Sequence, residues 1–270
     1  MAKILAITNQ KGGVGKTTTS VNLAASLEAA NRRVLLIDLD PQGNATMGSG
    51  VDKRLLQHTV YQVLVGSRQI AEVRVSATKG KYDLIPANRE LAGAEVEMVD
   101  LPQRETRLKA ALQEIEKEYD FIFIDCPPAL NLLTLNGLCA ADAVMIPMQC
   151  EYYALEGLTD LVNTIKKVRA HLNPVLEIEG LLRTMFDPRN ILAQQVSDQL
   201  QEHFGDRVYR TVIPRNVRLA EAPSFGIPVL YHDKLSKGTQ AYLALAGEIL
   251  NKYFPETGTA ECDNAHRLEA

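Results

Sequence analysis

The chain has 270 residues, 46% hydrophobic and 23% charged, and its 29 lysines and arginines against 33 aspartates and glutamates give a formal net charge of −4. That length can bury a sizeable core, and the composition is ordinary for a soluble globular protein. The acidic balance excludes nucleic-acid binding by bulk charge, so such activity needs a local patch.

Strand-like apolar runs alternate with helical patterns along the sequence. A strand is read at Lys3–Thr8 and a helix over Thr17–Ala30, with a glycine-rich loop between them. Strands follow at Arg33–Asp38 and Tyr82–Pro86; the stretch Gly48–Thr78 between them is harder to assign, with a short helix around Thr59–Val65. A helix over Arg104–Glu118 precedes a strand at Asp120–Asp125, and a helix over Leu132–Ala140 precedes one at Ala143–Pro147. Leu155, Leu158, Leu161, Val162, Ile165 and Val168 follow helical spacing within Leu155–Leu172. A strand at Ile178–Met185, a helix over Ala193–Phe204, a strand at Val208–Ile213 and a helix over Gly238–Tyr253 complete the pattern.

Several of these strands are apolar on both faces, as strands are when helices cover both sides of a parallel sheet. The expected fold is therefore α/β, a doubly wound, mostly parallel sheet. Without a composition break, residues 1–254 are expected to form a single domain. The polar, aperiodic stretch Pro255–Ala270 is expected to be a disordered tail. No apolar run is long enough to span a bilayer. The first strand starts almost at Met1, so no secretory leader is expected and the cytoplasm is the expected location. The four cysteines, Cys126, Cys139, Cys150 and Cys262, form no CxxC pair and read as reduced, packed thiols.

Three segments carry chemistry. The first is Lys11-Gly12-Gly13-Val14-Gly15-Lys16-Thr17-Thr18, set between a strand and a helix as phosphate-binding loops are. Glycines let backbone N–H groups converge on a polyphosphate, Lys16 supplies a mobile charge, and the Thr17 hydroxyl can ligate Mg²⁺. The helix N-terminus adds free donors and partial positive charge. Against GxxxxGK[ST] there is one departure: Gln10 stands where the first glycine would, and a second lysine, Lys11, opens the loop. The second segment, Phe121–Asp125 followed by Cys126-Pro127-Pro128, is an apolar strand ending in a carboxylate, suited to meet Mg²⁺ through water. Its alternative is a turn former or helix cap. The third, Leu35–Asn44, places Asp38 and Asp40 one residue apart, on the same side of an extended chain. One of them could orient a water for γ-phosphate hydrolysis; a cap and turn before Pro41-Gln42-Gly43 is the other reading.

Lys11–Thr18 resembles the deviant Walker A loop of the ParA/MinD ATPases. Asp38–Asn44, Asp125–Pro128, Gln149–Leu158 and Ile213–Arg218 look like the ParA/Soj branch, so the resemblance covers about Lys3 to Tyr253. It implies an ATPase that uses ATP and Mg²⁺ to partition chromosomes or plasmids. It also implies an ATP-bound sandwich homodimer that binds DNA without sequence preference on the nucleoid, and a ParB-like partner that stimulates hydrolysis. Carried over by residue, Gly12, Gly13, Val14, Gly15 and Thr18 cradle phosphates with Lys16, and Lys11 reaches the partner subunit's nucleotide. Gly12 lies where two loops would meet. Thr17 holds Mg²⁺ with Asp125 behind it, Asp40 positions water, and Pro214 and Asn216 contact the adenine.

For DNA, Arg183, Arg189, Arg207, Arg210, Arg215 and Arg218 lie in a stretch free of lysine, and the resemblance selects Arg189 and Arg218. The alternative is a solvated face on which arginines pair with Asp187, Asp198, Glu202 and Asp206. A MinD-like membrane-cycling ATPase shares the loop, but the tail shows no basic amphipathic face, so no membrane partner is expected. A nitrogenase-iron-protein-like reductase would need cluster thiolates, and Cys126 and Cys150 do not match that family's ligand motifs. With the first strand so near Met1, no N-terminal helix-turn-helix domain is expected.

Overall fold

A computed structural model describes residues 1–255, so the expected tail lies, beyond Pro255, outside the described residues. In chain order the elements are β1 (Lys3–Ile7), α1 (Lys16–Glu28), β2 (Val34–Asp38), α2 (Asn44–Gly48), α3 (Val60–Val65), α4 (Ile70–Val73), β3 (Val75–Ser76) and β4 (Asp83–Ile85). Next come α5 (Leu91–Glu97), α6 (Arg107–Leu112), β5 (Phe121–Asp125), α7 (Leu132–Ala140), β6 (Ala143–Met148), α8 (Ala154–His171) and β7 (Glu177–Phe186). The chain continues through α9 (Ile191–Phe204), β8 (Val208–Pro214), α10 (Val217–Glu221), α11 (Val229–His232) and α12 (Lys237–Tyr253).

The eight strands form one sheet in the order β3-β4-β2-β5-β1-β6-β7-β8. Every pairing is parallel except β3 with β4. Alternation along each strand divides the core in two. Ile4, Ala6, Leu35, Ile37, Ile122 and Ile124 face a layer with residues of α3 to α9. Leu5, Ile7, Leu36, Phe121 and Phe123 face the other, with α1, α11 and α12. Such two-sided burial is what the apolar strands required. Register then sets the site: Asp125 pairs with Ile7 on one side and Asp38 on the other, so three strands end at one level. Their C-terminal ends form the crevice where open α/β sheets bind ligands.

Local chemistry accounts for most of the elements. The helix α3 carries a capping box between Thr59 and Gln62 and ends at left-handed Gly66. The helix α1 is buried on nearly every face, and Ser26 satisfies its hydroxyl on the Asn22 carbonyl one turn back. One expectation needs correction. The helix read over Arg104–Glu118 is regular only at Arg107–Leu112 and tightens to a 3₁₀ turn at Glu116–Glu118. There the chain must turn into β5, and Tyr119 is fixed by bonds of 2.7 Å to Asp83 and from Arg74. The sequence reading also passed over β3, α4 and α5, which are too short for periodicity to register.

Candidate active site

The loop between β1 and α1 is open and built on backbone. Gly13 and Gly15 have φ of +73° and +88°, the left-handed region that glycine enters without steric cost. A Cβ at Gly12 or Gly13 would touch nothing within 4 Å. No side chain caps α1, whose first-turn N–H groups are therefore free for an anion. Lys16 is buried at the start of α1, and its Nζ donates to the Lys11 carbonyl at 3.0 Å. Burial pulls its pKa down, against the opposing pull of Asp125.

Asp125 and Thr17 meet, the arrangement that the family resemblance implies. Thr17 Oγ1 donates to Asp125 Oδ2 at 2.8 Å. Ser20 Oγ, one helical turn on, donates to Asp125 Oδ1 at 2.9 Å. Ser20 was missed, although its place three residues after Thr17 on one helix face was visible. Burial, with the charge of Asp38 adding to it, pushes the Asp125 carboxyl up to about 7. Among the described residues no three His, Cys, Asp or Glu side chains cluster as a metal cage. The donor set of one hydroxyl backed by one carboxylate fits Mg²⁺, a cation that keeps waters and takes phosphate oxygens.

Asp38 and Asp40 have different roles. Asp38 is fully buried and accepts from Thr46 N and Oγ1, both at 2.8 Å, and from Asp40 N at 3.1 Å. Burial raises its pKa to about 6. Asp38 thus shapes the loop and cannot address a water in the crevice. Asp40 is half-buried and accepts from Gln42 N at 2.9 Å, which makes it a turn former with solvent access. The turn reading holds for it.

Beside the loop lies a cavity of about 240 Å³ lined by Gly15, Thr18, Thr184, Met185, Pro214, Asn216 and Tyr242, among others. Asn216 also caps α10 by accepting from Leu219 N at 3.3 Å. Thr184 Oγ1 donates to the Val14 carbonyl at 2.7 Å, tying the loop to β7. Thr184, Met185 and Tyr242 carry no motif, and only the fold brings them to the loop.

Lys11 points elsewhere. Its side chain is 46% exposed, and Nζ stands 2.5 Å from Glu151 Oε2, on the loop after β6. The arginines proposed for DNA are exposed but paired within the chain. Arg189 meets Asp187 at 2.8 Å, and Arg218 meets Glu221 at 2.8 Å and Asp233 at 3.3 Å. Arg183 leaves the surface set: it is partly buried and donates to Ser197 Oγ and the Tyr209 carbonyl. Cys126, Cys139 and Cys150 are buried free thiols, as expected, and Cys262 lies outside the described residues.

A strand, a glycine loop ending in a lysine and a threonine, and a carboxylate on the neighbouring strand define a P-loop ATPase. A family model described as an AAA domain matches residues 2–178. The sporulation initiation inhibitor protein Soj of Bacillus subtilis is 55% identical over 249 residues, 92% of this chain and 98% of Soj. The chromosome partitioning protein ParA of Caulobacter vibrioides is 51% identical over 252 residues, 93% of this chain and 94% of ParA. Among solved structures, a cobyrinic acid a,c-diamide synthase of Mycobacterium smegmatis, with bound ATP analog and magnesium, superposes with a TM-score of 0.82. It is 38% identical and covers 94% of this chain and 96% of its own. The chain belongs to the ParA/Soj family of ATPases within the ParA/MinD group.

Proposed function

We propose that this ATPase drives partitioning of chromosomal or plasmid DNA through a nucleotide-gated dimer. Mg²⁺-ATP closes two copies into a sandwich that binds DNA without sequence preference on the nucleoid. A ParB-like partner stimulates the hydrolysis that reopens it. The observation that carries this reading is the division of labour between the two lysines. Lys16 is buried at the phosphate loop, whereas Lys11 projects outward to an exposed ion pair with Glu151, from which it can be drawn to a site in a second copy. Charge that neutralises the transferring phosphoryl group then arrives only on dimerisation, as an arginine finger supplies it. The similarity to Soj and ParA supports the partitioning role.

In this reading Gly13, Val14, Gly15 and Thr18 present backbone to the phosphates while Lys16 holds their charge. Thr17 would hold Mg²⁺, with Asp125 fixing the hydroxyl; the metal would supply charge neutralisation to the phosphates. Asp40 orients the attacking water, and Pro214 and Asn216 receive the adenine. Asp40→Ala tests the assignment. The variant should bind ATP with affinity near that of wild type, lose hydrolysis by at least about 100-fold, and stay dimeric and DNA-bound with ATP. Normal turnover by the variant would remove Asp40 from this role, and dimers forming equally with ADP and ATP would remove the gate. Binding of Asp40→Ala to anionic vesicles instead of DNA would favour the membrane-cycling alternative.

A further inference from the structure

The proposed trans role of Lys11 leaves open what the side chain does in a single subunit, and Glu151 answers that. We infer that Glu151 is a positioning residue that holds the Lys11 ammonium in cis until a partner's nucleotide competes for it. It thereby sets how readily two copies close. This inference rests on the reading that Lys11 acts across a dimer.

Both backbones that carry the pair are anchored. Lys11 N donates to Asn9 Oδ1 at 3.0 Å, and Asn9 Nδ2 donates to the Pro147 carbonyl on β6 at 2.8 Å. Glu151 N donates to the Gln149 carbonyl at 3.0 Å, and its own carbonyl accepts from Ala154 N at 2.9 Å. The ion pair therefore bridges two fixed loops at the ends of adjacent strands β1 and β6. Fixed backbones lower the entropy lost when two long side chains pair. Glu151 is also the one acidic side chain in salt-bridge range of Lys11 among the described residues.

The pair is suited to release. The two side chains are 46% and 52% exposed, so water can take over either partner. A single carboxylate competes poorly for an ammonium with a terminal phosphate of higher charge. ATP in a facing subunit can draw Lys11 away, whereas ADP lacks the group that would reward the move. Tyr152 and Tyr153, beside Glu151, are 73% and 71% exposed and packed edge to face at 5.0 Å, so a facing copy has open access to the pair.

The test compares wild type with Glu151→Gln, an isosteric change at an exposed loop position. Dimer dissociation constants are measured by sedimentation with a non-hydrolysable ATP analogue at low and high salt, and acylation of Lys11 is measured by mass spectrometry in the nucleotide-free subunit. Exposed pairs shift equilibria by about 1.5- to 5-fold each. A dimer breaks two, so Glu151→Gln should dimerise about 2- to 25-fold more tightly at low salt, with the gain shrinking as salt screens the pair. Lys11 should acylate faster in the variant. Unchanged or weaker dimerisation, or unchanged acylation, overturns the inference. If wild type forms no dimer with the analogue, the trans reading fails instead, and Lys11 acylation still decides whether Glu151 holds it.

Discussion

Asp38 and Asp125 end neighbouring strands in register, both fully buried, and burial raises the pKa of each above the usual aspartate range. Folding therefore raises their proton affinity, and stability from this source is full below about pH 4 and is lost as pH rises toward about 7. Exposed Asp52 and Asp187, held near 2 by Arg54 and Arg189, act in the opposite direction but only at lower pH. The urea midpoint of nucleotide-free protein should thus fall between pH 5 and about pH 7. Asp125→Asn keeps a group that can bond the Thr17 and Ser20 hydroxyls and removes the buried charge. It should flatten the fall and stabilise nucleotide-free protein at pH 8 by about 1–3 kcal/mol. A variant whose midpoint tracks wild type across that range would show that Asp125 carries no strain. The same change should weaken Mg²⁺-dependent nucleotide binding, because the Thr17 hydroxyl loses its ionised partner.

At the scale of elements, the β7–α9 loop and α10 carry the two arginines assigned to DNA. Each already has an acidic partner: Asp187 lies two residues before Arg189, and Glu221 lies one turn after Arg218 on α10. Such exposed pairs hold weakly, and a phosphate can replace the carboxylate, so pairing does not remove these side chains from a DNA surface. It does place their charge at the cost of an exchange. Arg189→Ala or Arg218→Ala should leave ATP-dependent dimerisation intact and weaken binding to all DNA sequences alike. In the proposed dimer each substitution would remove two contacts, so the slope of log affinity against log salt should become shallower by about 2. Electrophoretic or anisotropy titrations across salt measure this. Wild-type slopes retained in both variants would place the DNA surface on other elements.

At the scale of the whole molecule, Gly12 offers a test of the proposed dimer. Its φ is not left-handed, and a Cβ there would meet nothing within 4 Å, so the free subunit tolerates a larger side chain. Gly12→Val should therefore fold with wild-type stability and bind ATP, yet stay monomeric by light scattering with the non-hydrolysable analogue. The branched side chain would stand where two phosphate loops approach. Dimerisation equal to wild type would mean that the loops do not meet at this residue. Among the described residues no helix is long and apolar enough to cross a membrane.

The sequence by itself determined the alternation of strands and helices, the phosphate loop and its two lysines, and the carboxylates at the strand ends. Each is written in contiguous residues: apolar runs of strand length, glycines ahead of a lysine, an aspartate closing a strand. What the tertiary structure decided depends on residues far apart in the chain. Asp38 and Asp40 look equivalent in sequence, and only the packing of Thr46 against Asp38 separates a loop-building carboxylate from an accessible one. Ser20 joins Asp125 because β5 lies beside β1, which leads into α1. Thr184 and Tyr242 reach the cavity because β7 and α12 fold back past the loop. The counter-ion of Lys11 sits 140 residues away, at the end of the next strand in the sheet. Hydrogen bonds and ion pairs act over a few ångströms, and strand order brings those distances within reach.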